Sequence, residues 1–269
     1  MKPTAETIRR EINDTLSRAS AARLAFTKKA FRMLPPLEAS RILDIGCGRG
    51  GPTLKLATLT AGDVVGMDVD RRALDELSKR IGELGLAGRV RAVLGSMRNM
   101  DFESESFDII WAEASIHFIG FEAGLDAVRR FLKPNGFLVI HEMVWLRPDP
   151  PRELVEHWQT TYATVRRVPE YLAAIPLHDY EIIGHFALPD DFWWYDYFAP
   201  LEHQIREFRE KYREDRAILS MLEREQAEVD LYRKYSSWVG SAFFAMRKVA
   251  HAAQREERDE SENRRSPAR

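Results

Sequence analysis

The stretch Arg41-Ile42-Leu43-Asp44-Ile45-Gly46-Cys47-Gly48-Arg49-Gly50-Gly51 runs a short apolar segment straight into a glycine cluster. The apolar run reads as a buried strand, and Pro52 to Leu59 reads as a helix with proline tolerated in its first turn. Gly46, Gly48 and Gly51 therefore stand in the spacing G-x-G-x-x-G between a strand and a helix. Glycines allow a tight turn and let a ligand approach the main chain closely. The helix start near Gly51 favours an anionic group.

Such a loop serves dinucleotides, and it also serves S-adenosylmethionine. Asp44 separates the two. A dinucleotide fold usually carries an apolar residue at this position, because an anionic diphosphate lies nearby. A carboxylate suits a ligand that brings a cation, such as the α-ammonium of methionine, since opposite charges in a partly buried cleft favour each other. A NAD-dependent oxidoreductase is the alternative that Asp44 opposes.

A second acid, Asp68, ends the next strand in Val64-Val65-Gly66-Met67-Asp68-Val69-Asp70. It lies about 20 residues beyond the glycines, where a carboxylate accepts hydrogen bonds from ribose hydroxyls. Val69 beside it belongs to the same cofactor set, whereas Asp70 reads as the N-cap of the following helix. Gly95-Ser96-Met97 ends the third strand. Ser96 is placed to bond an adenine amino group and Met97 to pack on the ring. Cys47 joins the set as a small loop residue, with no base beside it in sequence.

Outward from the loop, strands and helices alternate. Apolar periodicity predicts strands at 64–67, 90–94, 107–111 and 137–144, and helices at 70–84 and 121–132. Apolar strands alternating with amphipathic helices imply a parallel sheet covered on both faces. Before the loop, 4–34 has helical spacing and is stopped by Pro35-Pro36. After it come helical stretches at 152–166 and 169–175, a strand at 180–188, the aromatic run Phe192-Trp193-Trp194-Tyr195-Asp196-Tyr197-Phe198, one long charged helix over 201–234, and a final strand at 238–249.

The series Ile42-Leu43-Asp44-Ile45-Gly46-Cys47-Gly48-Arg49-Gly50, Gly66-Met67-Asp68, Gly95-Ser96-Met97, Ser106-Phe107-Asp108-Ile109-Ile110-Trp111 and Leu132-Lys133-Pro134-Asn135-Gly136-Phe137 resembles the class I S-adenosylmethionine-dependent methyltransferases. Within them it is similar to the small-molecule branch that includes ubiquinone- and menaquinone-biosynthesis enzymes and uncharacterised bacterial relatives. The resemblance implies an α/β, Rossmann-like, seven-stranded, mostly parallel sheet with an antiparallel last strand, helices on both faces and helical substrate-covering insertions. It implies S-adenosyl-L-methionine as cofactor, with S-adenosyl-L-homocysteine as product, and cofactor roles for Asp44, Gly46, Gly48, Asp68, Ser96 and Met97. Many relatives carry an acid where Ser96 stands. The expected organisation is an N-terminal helical cap at 1–36, a methyltransferase domain at 37–249 with an aromatic and helical lid inserted at about 189–236, and a disordered charged tail at 250–269.

In such a fold the acceptor binds at the carboxyl ends of strands four and five. Here those ends offer Glu113-Ala114-Ser115-Ile116-His117 and His141-Glu142. His117 is the first candidate for a general base because imidazole titrates near working pH. Glu113 is a candidate for catalysis, for holding the acceptor and for the cofactor edge; Glu142 reads as a structural carboxylate. Trp193, Trp194 and Tyr197 are candidates for enclosing the acceptor.

Composition narrows the classes further. Lys+Arg of 40 against Asp+Glu of 42 gives a formal net charge of −2, which opposes general binding to nucleic acid. A base-modifying enzyme is also expected to carry an Asn/Asp-Pro-Pro-Tyr/Phe motif where Glu113-Ala114-Ser115-Ile116 stands. The single cysteine rules out an intramolecular disulfide and a cysteine-based zinc site, and no other metal-ligand spacing stands out. With no signal peptide or membrane-length apolar run, the expectation is a cytoplasmic monomer or homodimer acting on a small molecule, with no membrane partner. The remaining alternative is a non-catalytic S-adenosylmethionine-binding protein.

Overall fold

A computed structural model describes residues 3–16, 20–160, 162 and 164–249. The expected charged tail at 250–269 lies outside the described residues.

The glycine loop follows β1 (Ile42–Ile45) and leads into α3 (Gly51–Ala57). The alternation continues through β2 (Val64–Asp68), α4 (Arg71–Glu83), β3 (Val90–Leu94), β4 (Phe107–Glu113), α5 (Phe121–Arg129) and β5 (Leu132–Trp145). Then come α6 (Arg152–Trp158), β6 (Arg166–Arg167), α7 (Val168–Ala174), β7 (Tyr180–Ala187) and β8 (Val239–Lys248). The strands form one eight-stranded sheet in the order β3-β2-β1-β4-β5-β8-β7, with β6 paired to β5. All pairings are parallel except those of β8, which runs antiparallel to both β5 and β7. The expected seven strands are present; the eighth is the two-residue β6, too short to show any periodicity.

Chain order reverses between β1 and β4, the switch point at which α/β sheets open a crevice beyond the strand ends. Alternate residues of each strand supply the two cores. One face packs Ile42, Val64, Trp111, Val139 and Phe243 beneath α3, α4 and the N-terminal helix α2 (Ala21–Phe31). The other packs Leu43, Val65, Ile110, Leu138 and Phe244 beneath α5 and α7. A third cluster joins Ile8 and Ile12 of α1 (Ala5–Leu16) to Leu201 and Ile205 of α8 (Ala199–Lys211) and to Leu222 and Val229 of α9 (Arg216–Tyr235).

Two stretches expected as single helices are each divided. At 201–234 the chain breaks after α8, and Asp215 caps α9 by accepting from the Ala217 and Ile218 N–H groups, each at 3.1 Å. At 4–34 it breaks before α2, where Ser20 accepts from the Arg23 N–H at 3.0 Å. At 201–234 the apolar stripe keeps its phase across the break, so periodicity misses a boundary that a cap creates, whereas α2 buries only Thr27 and Ala30 and carries little stripe of its own. Helix α6 also stops at Trp158, short of the expected 166, and Arg166 and Arg167 pair with β5 instead.

Candidate active site

The glycine loop is pinned to the neighbouring strand. The Gly46 and Cys47 N–H groups both donate to the Met67 carbonyl, at 2.8 and 3.1 Å. Gly46 has φ +68°, and a Cβ there would stand 2.4 Å from Ser115 Cβ, so only glycine fits between β1 and the end of β4. Ser115 holds that approach by donating to the Ile45 carbonyl at 2.7 Å. Gly48 has φ +52°, but a Cβ there would meet nothing within 4 Å, so this glycine faces open space.

That space is a cleft of about 370 Å³ at the switch point, and its walls include Asp44, Gly46, Cys47, Gly48, Asp68 and Glu113. Asp44, though buried, lines it and accepts from the Thr53 hydroxyl at 2.6 Å. Burial pushes its carboxyl up to about 8; the Thr53 bond opposes this, while Glu113 and Asp68 add to it. Asp68 accepts from the Gly48 N–H at 2.7 Å and from the Asp70 N–H at 2.8 Å, which fixes both of its oxygens at the loop edge. Glu113 Oε1 accepts from Thr27 at 2.8 Å and from the Trp111 indole at 2.7 Å. Burial carries Glu113 up to about 7, against the pull of those two donors and of Arg23. Burial first, then Asp44 and Asp68, drives the Cys47 thiol upward, so it stays protonated and is no nucleophile.

Three residues that sequence patterns did not single out join the walls, together with His141 from the end of the fifth strand, where the acceptor was expected. Asn13 and Asp14 of α1 and Arg23 of α2 line the cleft from the N-terminal side, and His141 lines it from β5. Arg23 Nε donates to Asp196 Oδ2 at 2.9 Å, Ser20 bonds the same carboxylate, and the guanidinium lies 5.6 Å from the centre of the Trp193 ring. His141 is stacked between Phe243 at 4.4 Å and Trp193 at 6.1 Å, and its Nε2 shares a 2.8 Å hydrogen bond with Ser241. Burial lowers its pKa to about 3, so it is neutral at physiological pH. Asn13, Asp14 and Arg23 have no local sequence signature; the packing of α1 and α2 over the cleft brings them in.

The other candidates lie elsewhere. His117 is buried outside the cleft walls, its ring against Phe118 and Tyr162 and its Nδ1 3.6 Å from Glu142 Oε1 without a hydrogen-bond partner. Glu142 also accepts from the His117 N–H at 3.2 Å. Ser96 accepts from the Arg98 N–H at 3.2 Å, Met97 packs on the α5-side core, and Val69 is exposed; none of the three lines the cleft. Trp193 faces the cleft, Trp194 faces a separate cavity, and Tyr197 packs among α1, α8 and α9. Among the described residues no cluster could hold a metal ion, and no helix is long and apolar enough to cross a membrane.

Residues 42–136 match the family model described as a methyltransferase domain. The chain is 30% identical over 160 residues to a sterol 24-C-methyltransferase of Neurospora crassa, covering 56% of this chain and 42% of that protein. It thus spans less than half the length of this curated relative. Among solved structures, an S-adenosylmethionine-dependent methyltransferase of Thiobacillus denitrificans in complex with S-adenosylhomocysteine superposes with a TM-score of 0.74 at 20% identity, covering 87% of this chain and 96% of that one. The [4+2]-cyclase SpnF superposes with a TM-score of 0.74 at 19% identity, covering 93% and 98%. The fold is shared with both, and by itself it does not select the reaction.

Proposed function

We propose, for a chain that carries a methyltransferase domain on the class I methyltransferase fold, that it transfers a methyl group from S-adenosylmethionine to a small-molecule acceptor in the cleft between Asp44 and Glu113. One observation carries this reading: a buried carboxylate, Asp44, and a half-buried one, Glu113, line one cleft with hydroxyl and indole donors as their hydrogen-bond partners. Burying carboxylates is costly unless a cation compensates. A ligand with an ammonium and a sulfonium brings that compensation, whereas the diphosphate of NAD would add like charge beside Asp44.

The residues present fit the group. Asp44 is set to take the methionine ammonium, the open face of Gly48 to admit the backbone approach, and Asp68 to take the ribose hydroxyls. Gly46 and Cys47 shape the loop, while Val69, Ser96 and Met97 stand outside the cleft walls at the ends of β2 and β3, toward which the adenine would extend. Bound there, S-adenosylmethionine supplies a methyl carbon activated by a sulfonium, released by in-line displacement to leave S-adenosylhomocysteine.

The protein's contribution is alignment and exclusion of water, worth about 7–11 kcal/mol when geometry is well held. Trp193, neutral His141 and Arg23 form the acceptor wall, with Trp193 ahead of Trp194 and Tyr197 because it alone of the three lines the cleft. Where the acceptor carries a proton, Glu113 takes it on Oε2, the oxygen that Thr27 and Trp111 do not engage. Its position near neutrality suits a general base, worth about 100- to 10,000-fold. Glu113 is preferred to His117 in this role because His117 does not line the cleft. In this reading α1 and α2, within the cap at 1–36, and the insertion at 189–236 cover a cleft built by 37–249. The protein then acts as a cytoplasmic monomer or homodimer; its net charge of −2 weighs against nucleic acid, and among the described residues no helix is long and apolar enough to cross a membrane.

Calorimetric titration of the protein with S-adenosylmethionine, S-adenosylhomocysteine and NAD tests the reading. Binding of the two sulfur nucleotides and not NAD is expected, followed by methyl transfer in an acceptor screen. Preference for NAD overturns it; sulfur-nucleotide binding with no transfer to any acceptor class leaves the non-catalytic alternative.

A further inference from the structure

Glu113 and His141 are register partners on the adjacent parallel strands β4 and β5. Their side chains therefore leave the same face of the sheet, about 4.8 Å apart at the backbone, and both line the cleft. Glu113 keeps one oxygen, Oε2, that neither Thr27 nor Trp111 engages. What His141 offers beside it is set by Ser241 on β8.

Ser241 is buried, and its Oγ has two partners: the Trp193 indole N–H at 3.0 Å and His141 Nε2 at 2.8 Å. An indole nitrogen can only donate, so the first contact takes a lone pair of Oγ. Among the described residues the hydroxyl hydrogen then has one acceptor left, the lone pair of His141 Nε2. Pointed elsewhere it would be a buried donor without a partner, costing about 1–3 kcal/mol. Nε2 accepts, and the ring proton of His141 therefore sits on Nδ1. Nδ1 has no partner among the described residues and is not sealed from solvent, so its N–H opens into the cleft that the ring lines. Burial, then Arg23, keeps the imidazole neutral, and Phe243 and Trp193 lie parallel to it and hold its plane. The cleft thus presents a fixed neutral donor beside a carboxylate acceptor, next to the flat face of Trp193.

We infer that the acceptor of this cleft is a planar compound in which a hydroxyl is conjugated to a carbonyl, such as the enol of a 1,3-dicarbonyl compound or an ortho-hydroxyaryl ketone. The inference rests on the methyl-transfer reading above and names its substrate class. The hydroxyl faces Glu113 Oε2, and the carbonyl oxygen faces His141 Nδ1–H. An amine without a carbonyl brings only donors and leaves the His141 N–H unmatched. On a lone hydroxyl, the same N–H would hold back the lone pair that must reach the methyl group; on a conjugated carbonyl it stabilises the charge left by proton loss. Glu113 takes the hydroxyl proton, and the negative charge spreads to the carbonyl oxygen. The hydroxyl oxygen bonds the methyl carbon as the carbon–sulfur bond breaks, and that electron pair stays on sulfur. Ser241 is a positioning residue, because it acts only by fixing the His141 tautomer.

Two-bond ¹H–¹⁵N spectra of the full chain should show His141 as the neutral Nδ1–H tautomer between about pH 5 and 8, with less of that tautomer in Ser241→Ala. The binding probe is 2′-hydroxyacetophenone, and 2-isopropenylphenol is its isostere without the carbonyl oxygen, both titrated calorimetrically with saturating S-adenosylhomocysteine. The ketone is expected to bind about tenfold more tightly, because the isostere leaves the His141 donor unpaired. His141→Phe keeps an aromatic ring and should bring the two probes together, with nucleotide affinity unchanged. An Nε2–H tautomer, equal binding of the probes by wild type, or no ketone binding up to about 10 mM would overturn the inference. Failure of S-adenosylhomocysteine itself to bind would overturn the methyl-transfer reading, and this inference with it.

Discussion

Thr27 on α2 donates its hydroxyl to Glu113 Oε1 at the end of β4, 2.8 Å away, so a helix outside the sheet fixes a carboxylate of the cleft. The Trp111 indole meets the same oxygen from within the strand. Both bonds favour the charged form and partly offset the upward push of burial. Removing the Thr27 donor should raise the Glu113 titration midpoint. In Thr27→Val, the ¹³C carboxyl resonance of Glu113 is expected to titrate above the wild-type midpoint near 7. A midpoint that stays or falls would detach the helix from this role. Glu113→Gln should slow transfer about 100- to 10,000-fold to any acceptor that loses a proton.

Asp44→Asn keeps the shape of the side chain and removes its charge. Charged hydrogen bonds are worth about 1.5–3 kcal/mol, so S-adenosylhomocysteine should bind roughly 10- to 100-fold more weakly. The ligand-free variant should melt no lower than wild type, because burial already opposes the ionised form. Equal affinity in calorimetry would remove Asp44 from the ammonium site.

The pH dependence of stability has a defined sign. Asp44 at about 8 and Glu113 at about 7 hold protons that an unfolded chain releases near 4. Their contribution is complete below about pH 4 and is lost as pH rises through these folded values. His141, held down to about 3, acts oppositely: its contribution is present above an unfolded value near 6.5 and lost as pH falls toward 3. Between pH 6.5 and 8 the carboxylates dominate, and the ligand-free protein should lose about 1–2 kcal/mol. Melting curves across that window should show the decline, reduced in Asp44→Asn. A flat wild-type profile would contradict the assignment.

The two loop glycines should fail differently. In Gly46→Ala the new methyl would meet Ser115 Cβ at 2.4 Å as well as an unfavourable φ. In Gly48→Ala only the backbone cost remains, about 1–2 kcal/mol. Thermal denaturation should rank Gly46→Ala clearly below Gly48→Ala, with Gly48→Ala showing mainly a loss of nucleotide affinity. The reverse order would mean that the loop packs otherwise.

Arg23→Met should cost about 3–5 kcal/mol, because it leaves Asp196 buried without its cation. The double variant with Asp196→Asn should recover much of that loss. If chemical denaturation shows no recovery, the helix is held by packing rather than by the ion pair.

The alternation of strands and helices, the glycine spacing and the strand-end acids Asp44 and Asp68 were legible in the sequence because each is a local pattern. Strand and helix periods are written in neighbouring residues, and a loop that must admit a ligand shows its glycines in order. The helix starts capped by Ser20 and Asp215 were not, since helical spacing alone does not mark a cap inside a stretch that is helical on both sides. Nor was the choice between Glu113 and His117. They lie four residues apart, yet Glu113 enters the cleft beneath α2 and His117 turns to Glu142 on the far side of β5. Arg23, His141 and Asp196 come together from α2, β5 and the turn after β7, at separations no local pattern records. Sequence alone determined the sheet and its glycine loop through local periodicity and spacing; which side chains share one low-dielectric cleft, and so shift one another's charge, was decided only by long-range packing.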